Sequence, residues 1–378
     1  MAIDAMKIDR RHFLGLAASA AAVAVKPGAA RAQGAKLVGT SRAHYAASCR
    51  EGADQYSALA FDGDGQIAQR ITLPARGHDI ALRPGSGECV VFARRPGTFA
   101  IAFDPAGAKP QQTFVTRPDR HFFGHGVFSP DGRLLYSTEN DFEGERGMIS
   151  VRDATGGYKQ IGEFYSGGIG PHDIALLSDG VTLVVANGGI DTNPEAGRAP
   201  LNLDTMQPSL AYIDVRTGDI IEQQRLDPAL HQLSIRHLAV AAGDIVTFGC
   251  QNEGAGQPAL VGWHKRGSQP ALFETPDIST GAMKNYIGSI AADVSGGIVS
   301  ATSPRGGHVL FFDLASRRLI GEASIGDVCG VAPSHQGAGF LLTSGLGEVT
   351  FRDPALADAP ALSRILDGIG FDNHAVTL

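Results

Sequence analysis

Gly170-Pro171-His172-Asp173-Ile174-Ala175-Leu176 places a histidine at the head of a short apolar run, directly after turn-forming residues. Variants of it recur along the chain. Gly77-His78-Asp79-Ile80-Ala81-Leu82 and Gly124-His125-Gly126-Val127-Phe128 precede it, and Arg236-His237-Leu238-Ala239-Val240 and Asn373-His374-Ala375-Val376 follow it. His78 to His125 spans 47 residues, and His125 to His172 spans 47 again. A fixed period of that size with a strand at each mark is the signature of a radial array of sheets. The chain is therefore read as all-β, a β-propeller whose histidines open the innermost strands.

Between the marks each segment repeats one grammar. An inner strand leads to a turn, Ser129-Pro130-Asp131-Gly132 or Leu177-Ser178-Asp179-Gly180, where Pro, Asp and Gly supply the turn dihedrals. A second apolar strand follows (Arg133 to Ser137; Val181 to Ala186), then a third (Met148 to Asp153; Leu210 to Asp214) and a fourth (Lys159 to Phe164; Ile220 to Leu226). β-branched content and alternation fit strands, and no stretch shows helical periodicity. Inner strands at His78, His125, His172, His237, near Ser289, near Cys329 and at His374 make seven blades. Three strands before His78 (Lys36 to Thr40, Tyr56 to Phe61 and Gln66 to Leu73) are one short of a blade. The strand opened by His374 supplies the fourth, predicted to pair beside Lys36 to Thr40, so that the ring closes from both termini and leaves no open edge. The 65 residues from His172 to His237 exceed the other spacings and hold an insertion, Asn187 to Pro208, on a scaffold where long loops usually carry function.

The first 32 residues read as an export signal rather than as part of the fold. Asp9-Arg10-Arg11-His12-Phe13-Leu14 is a twin-arginine pattern, an alanine-rich apolar stretch runs from Leu14 to Val25, and Ala30-Arg31-Ala32 is a small-x-small cleavage signal. The apolar run is too short to span a bilayer. The expectation is a periplasmic protein exported by the twin-arginine route, with a propeller domain over 33–378 starting at Gln33. The net charge of -7 and the lack of clustered Lys/Arg exclude nucleic acid and anionic membrane surfaces as partners. Cys49, Cys89, Cys250 and Cys329 lie far apart with no C-x-x-C, and read as small strand residues rather than as a disulfide framework.

In a propeller the first strand of each blade lines the channel, so residues at its start form a ring near one mouth. Five of the seven marks carry histidine: His78, His125, His172, His237 and His374 are the candidate metal ligands. Neutral imidazole is the commonest metal ligand, and a ring of imidazoles suits iron, copper or zinc. With nitrogen–metal bonds of about 2.0–2.1 Å for zinc, one ion takes only a subset of the five. Asp79 and Asp173, next along their strands, are expected to point the other way. Arg236 is a candidate anion holder in the same mouth, and Glu139 and Asn187, closing the second strands of adjacent blades, are candidates to face it. The competing structural reading is a polar channel whose histidines hold carbonyls or water. The particular network of WD-type repeats is disfavoured, because the single tryptophan, Trp263, is not followed by Asp. No G-x-S-x-G, H-E-x-x-H, P-loop or dinucleotide-binding fingerprint is present. His44 and His121 read as single surface or loop residues.

Gly168 to Asp173, Val185 to Ile190, Leu201 to Leu210, Ser234 to Leu238 and Asp372-Asn373-His374 together resemble an exported propeller family, the domain-of-unknown-function family 1513. The resemblance covers essentially the whole mature chain. It implies a seven-bladed fold in the periplasm and a link to iron uptake, since the family is found beside imelysin-type iron-regulated periplasmic proteins; it supplies no reaction. Asn193 stands where the resemblance leads one to expect a histidine, which weakens any metal role for the insertion. His125 to Tyr136 also resembles lactonase-type seven-bladed propellers, which implies a metal-assisted hydrolase as an alternative. The first reading is a non-enzymatic or accessory periplasmic propeller that binds a transition metal, iron foremost, or a metal-bearing partner through the histidine-lined mouth and the long insertion; an inert channel, with the loops docking another protein, is the third.

Overall fold

The computed structural model describes residues 36–37, 42–197, 199–356 and 363–378. The expected signal segment and the start at Gln33 lie outside them, as do residues 38–40 of the first predicted strand. Seven antiparallel sheets form the blades, six of four strands and one of five. The turns between first and second strands use the expected chemistry: Asp179 Oδ1 accepts from the Val181 and Thr182 amides, and Gly180 adopts φ +70°. Among the described residues the only α-helix is the short Asp277–Ala282, which leads from the fourth blade to the fifth. Among the described residues no helix is long and apolar enough to cross a membrane.

Position within a blade sets the pattern of each strand. The second strands Cys89–Ala93, Thr182–Asn187 and Phe340–Ser344 are buried at every residue, because neighbouring blades cover both faces. That is why they read as unbroken apolar runs. Outer strands such as Arg318–Ser324 alternate between exposed and half-buried residues, with one face open to solvent. Aromatic rings fill the wedges between blades: Phe92 meets Phe122 at 5.5 Å, and Phe273 stacks on Phe312 at 4.6 Å. Each ring so buried stabilises the fold by about 1.5–3 kcal/mol. All four cysteines are buried and free.

Ring closure follows the expected principle through a different partner. The C-terminal strand Ile369–Thr377 pairs with Tyr45–Glu51, in the register Ala47↔Ala375, rather than with the strand at Lys36. Lys36–Leu37 lies on the outer edge of the same sheet, opposite Arg70 and Gln69. Tyr45-Ala46-Ala47-Ser48-Cys49 is poor in β-branched residues, so its composition gives no strand signal. Its small side chains are what the crowded closing seam accommodates, and all five are buried.

The innermost strands depart from regular pairing at the histidine marks. Pairing jumps from Pro171↔Asn187 to Asp173↔Ala186, from Gly77↔Ala93 to Ile80↔Val91, and from Ala47↔Ala375 to Cys49↔Phe371. The second blade breaks between Ser137↔Gly126 and Glu139↔Phe122, on either side of His125. Such bulges re-aim side chains and raise local twist. Here they free the segments that carry His78, His125, His172 and His374.

Candidate metal centre

The five histidines from the seventh and first four blades converge. The centroids of rings in contact lie between 4.6 Å, for His78 and His374, and 6.1 Å, for His78 and His172. His172 and His237 are 4.7 Å apart, as are His125 and His374. All five are buried. Two sets of three can bring one nitrogen each to within 4.8 Å of one another: His78, His125 and His172, and His125, His237 and His374. In a tetrahedral site with bonds of about 2.0–2.1 Å the nitrogens stand about 3.4 Å apart, so the rings would close in by up to about 1.4 Å around an ion. The other two marks contribute no ligand. Ser289 Oγ lies 3.4 Å from His374 Nδ1, and the Cys329 thiol donates to the Asp327 carbonyl at 3.1 Å.

Carboxylates back the rings. His78 Nδ1 lies 3.1 Å from Asp372, which also accepts from Arg94 at 2.7 Å and from Arg76. His125 Nδ1 sits between Asp79 at 3.1 Å and Asp173 at 3.2 Å, one from each neighbouring blade. This corrects the expectation that these two aspartates point away. Strict alternation fails where the bulges fall, and the carboxylates reach the back of the His125 ring. With Nδ1 held in this way, the remaining nitrogen of each ring is the one offered to the centre. His125 Nε2, His374 Nε2, His172 Nδ1 and both nitrogens of His237 have no hydrogen-bond partner among the described residues. Buried polar atoms in native proteins nearly always have partners, so a cluster of bare imidazole nitrogens fits a bound cation. As a neutral ligand His125 has one nitrogen to give, so the two triads are alternatives for a single ion.

Burial holds His78, His172 and His237 well below the ordinary imidazole pKa, and brings His374 down to about 4. These rings are neutral at neutral pH, which is the ligating form. His125 is the exception: burial opposes its protonation, but Asp173 and Asp79 outweigh it and raise the pKa to about 10. A metal ion would have to displace the proton from His125 before the ring could ligate, and the same two carboxylates would then supply countercharge at the back of the metal-bound ring.

The remaining sequence candidates divide. Arg236 reaches the cluster, lining a small cleft with His172, and is braced by Gln251 Oε1 at 2.9 Å. Glu139 does not face the mouth; it is buried in the second blade against Arg152 at 2.9 Å, whose guanidinium lies over Phe114 and Phe122. Asn187 is also turned inward, bonded to the Ser166 hydroxyl and carbonyl at 2.8 and 2.9 Å. Asn187 closes its second strand as expected, whereas the strand that carries Glu139 runs on to Asp141, and both side chains pack between strands instead of over the channel. Asn193 caps a 3-10 turn in the insertion, accepting from the Glu195 amide. His121 is buried rather than loose: it accepts from Asn140 Nδ2, while its Nδ1 lies 2.9 Å from the Phe122 carbonyl. His44 stacks on His335 at 4.0 Å.

Asp372, Arg94, Tyr286 and Asn373 were not among the candidates. Asn373 donates to the Tyr286 hydroxyl at 2.8 Å, tying the seventh blade to the loop that leads into the fifth. The one sequence signal for the carboxylates is that His-Asp recurs at 78 and 172, two periods apart.

The fold is similar to solved structures of distant proteins. Hydrazine synthase of Kuenenia stuttgartiensis superposes with a TM-score of 0.57 at 15% identity, over 77% of this chain and 86% of that one. A chain of the mitotic checkpoint complex gives 0.58 at 10% identity, over 100% of this chain and 92% of that one. At these identities the likeness shows architecture alone. None of the curated proteins matches the sequence. Residues 71–378 match the family model described as Protein of unknown function (DUF1513), and the chain belongs to that family.

Proposed function

We propose that this chain is a periplasmic, non-enzymatic propeller that holds one transition-metal ion, iron in the first place, among His78, His125, His172, His237 and His374. The observation that carries this reading is the convergence of five buried rings, four of which carry a nitrogen with no partner among the described residues, while carboxylates hold the back of two of the five. An all-imidazole donor set with no thiolate suits iron, copper or zinc, and the divalent charge would be balanced from behind by Asp79, Asp173 and Asp372. Iron is favoured by the resemblance to propellers found beside imelysin-type proteins, and such a periplasmic iron-uptake protein is the proposed partner. The periplasmic address rests on the twin-arginine pattern at Arg10-Arg11. The ion would supply Lewis acidity or one-electron chemistry; the chain itself would supply a rigid ring that fixes the donors and keeps four of them neutral.

The test is elemental analysis of protein isolated from the periplasmic fraction. About one equivalent of a transition metal is expected, and it should be lost in a His125→Ala variant that still folds. Protein free of metal that cannot be reconstituted with ferrous, cupric or zinc ion would overturn the reading in favour of a polar structural channel. Hydrolysis of a lactone panel that stops on chelation would replace it with the hydrolase alternative.

A further inference from the structure

We infer that a cleft where the sixth, seventh and first blades meet binds an α-amino acid, with its carboxylate on Arg50 and Arg76 and its ammonium on Asp327. The cleft holds about 290 Å³, and all three of these residues line it together with Tyr56. At about 30 Å³ per water that is room for roughly ten waters, enough for a small organic molecule. The strands of the seventh blade set one wall. Arg50 is paired with Tyr56 on one side and with Gly370 on the other, and residues directly opposed across an antiparallel pair share a face. The Arg50 guanidinium and the Tyr56 phenol therefore stand side by side, next to a residue with no side chain. Asp327, at the entry to the sixth blade, forms the other wall with Gly345. It adopts φ +50°, and its carboxylate lies where a Cβ at Gly345 would collide with it. A Cβ at Gly370 would lie 2.7 Å from the Gly345 carbonyl, so glycine at both positions is what lets the two blades approach here.

Charges of both signs line the cleft, and several are uncommitted. Neither the Arg50 guanidinium nor the Tyr56 hydroxyl has a partner among the described residues. Arg76 gives its Nε to Asp372, which leaves its terminal nitrogens for a ligand. Asp372 is 4% exposed and already held by Arg76, Arg94 and His78, so it closes the cleft without offering a free charge. The Asp327 carboxylate has the Cys329 thiol at 3.8 Å and no cation in contact. Partial burial, with the Asp372 carboxylate nearby, holds its carboxyl above the ordinary range, and an ammonium against it would relieve that. A plain anion on the arginines would leave Asp327 unpaired, and a plain cation on Asp327 would leave the arginines unpaired. An α-amino acid carries both charges on one carbon, and its carboxylate matches the planar donors of a guanidinium. Phe371 is the one large apolar residue in the lining and is itself buried, so the walls suit a short or polar side chain. The inference goes beyond the metal reading and needs no ion among the histidines.

Calorimetric titration of the full mature protein with the common α-amino acids, one at a time, tests the proposal, with acetate and methylammonium as single-charge controls. At least one amino acid with a short or polar side chain should bind saturably, and both controls should bind about tenfold more weakly or worse. Arg50→Gln and Asp327→Asn should each weaken the amino acid by about tenfold or more, with the thermal midpoint unchanged. Asparagine tolerates the left-handed backbone at 327, so that variant removes the charge and keeps the turn. No saturable binding of any amino acid overturns the proposal, and so does binding that neither substitution weakens. Acetate bound as tightly as the best amino acid and indifferent to Asp327→Asn overturns it in favour of a plain anion site. Amino-acid binding in a protein that takes no metal overturns only the metal reading.

Discussion

The Asp173 carboxylate lies 3.2 Å from Nδ1 of His125, across the boundary between the third blade and the second. Asp173 is itself fixed by the Ile174 and Leu238 amides at 2.7 and 2.8 Å, so three blades meet at one carboxylate. Partners of this kind behind a ligating imidazole typically change metal affinity by 10–100-fold. Asp173→Asn keeps the shape and removes the charge. It should weaken metal binding by about that factor in a chelator competition, with the thermal transition little changed. Asp79→Asn should do the same, and the double variant should weaken binding further.

Because His125 belongs to both triads, it is the one ligand that cannot be bypassed. His125→Ala should abolish stoichiometric binding. His78→Ala leaves the His125, His237 and His374 set, and His237→Ala leaves the His78, His125 and His172 set. Each single variant should therefore bind more weakly yet measurably, and the double variant should not bind. Equal loss in all five single variants would mean that the five rings act together instead of as two alternative sets.

Metal should also stabilise the fold. Each triad draws its ligands from three blades, so an ion bound only by the folded state ties together segments far apart in sequence. Linkage gives about 2.7 kcal/mol at a free metal concentration of 100 times Kd. The thermal midpoint should rise on reconstitution and fall back on chelation, and the rise should vanish in His125→Ala. An unchanged midpoint in metal-loaded wild-type protein would contradict a site built across blades.

The propeller was legible because its second strands are buried on both faces and its turns carry Asp and Gly in fixed places, signals that survive in a single sequence. The closing strand was not: Tyr45–Glu51 is mostly Ala, Ser and Cys, chosen for a tight seam and silent in propensity. The five histidines were legible from their period. Their carboxylate partners were not, because alternation along an ideal strand puts Asp79 and Asp173 on the wrong side, and only the bulges bring them back. Arg94 and Arg95 follow a second strand with nothing in the sequence to mark them. Their meaning comes from Asp372 and Thr192, which are 278 and 97 residues away.

Gly124 shows how tightly the backbone is matched to the ring of imidazoles. It adopts φ +109°, and a Cβ there would lie 2.6 Å from His78 Cδ2 and 3.0 Å from its Cβ, closer than real contacts allow. Gly124→Ala therefore carries two costs, a backbone conformation that L side chains rarely adopt and a displaced His78 ring. The first is worth about 1–3 kcal/mol. The second should weaken metal binding, because His78 belongs to one of the two triads. Gly85→Ala separates them: it adds a methyl at φ +73° with nothing within 4 Å. Denaturant midpoints should fall in both variants, whereas metal affinity should fall only in Gly124→Ala. Full metal affinity in Gly124→Ala would show that His78 lies outside the set that holds the ion.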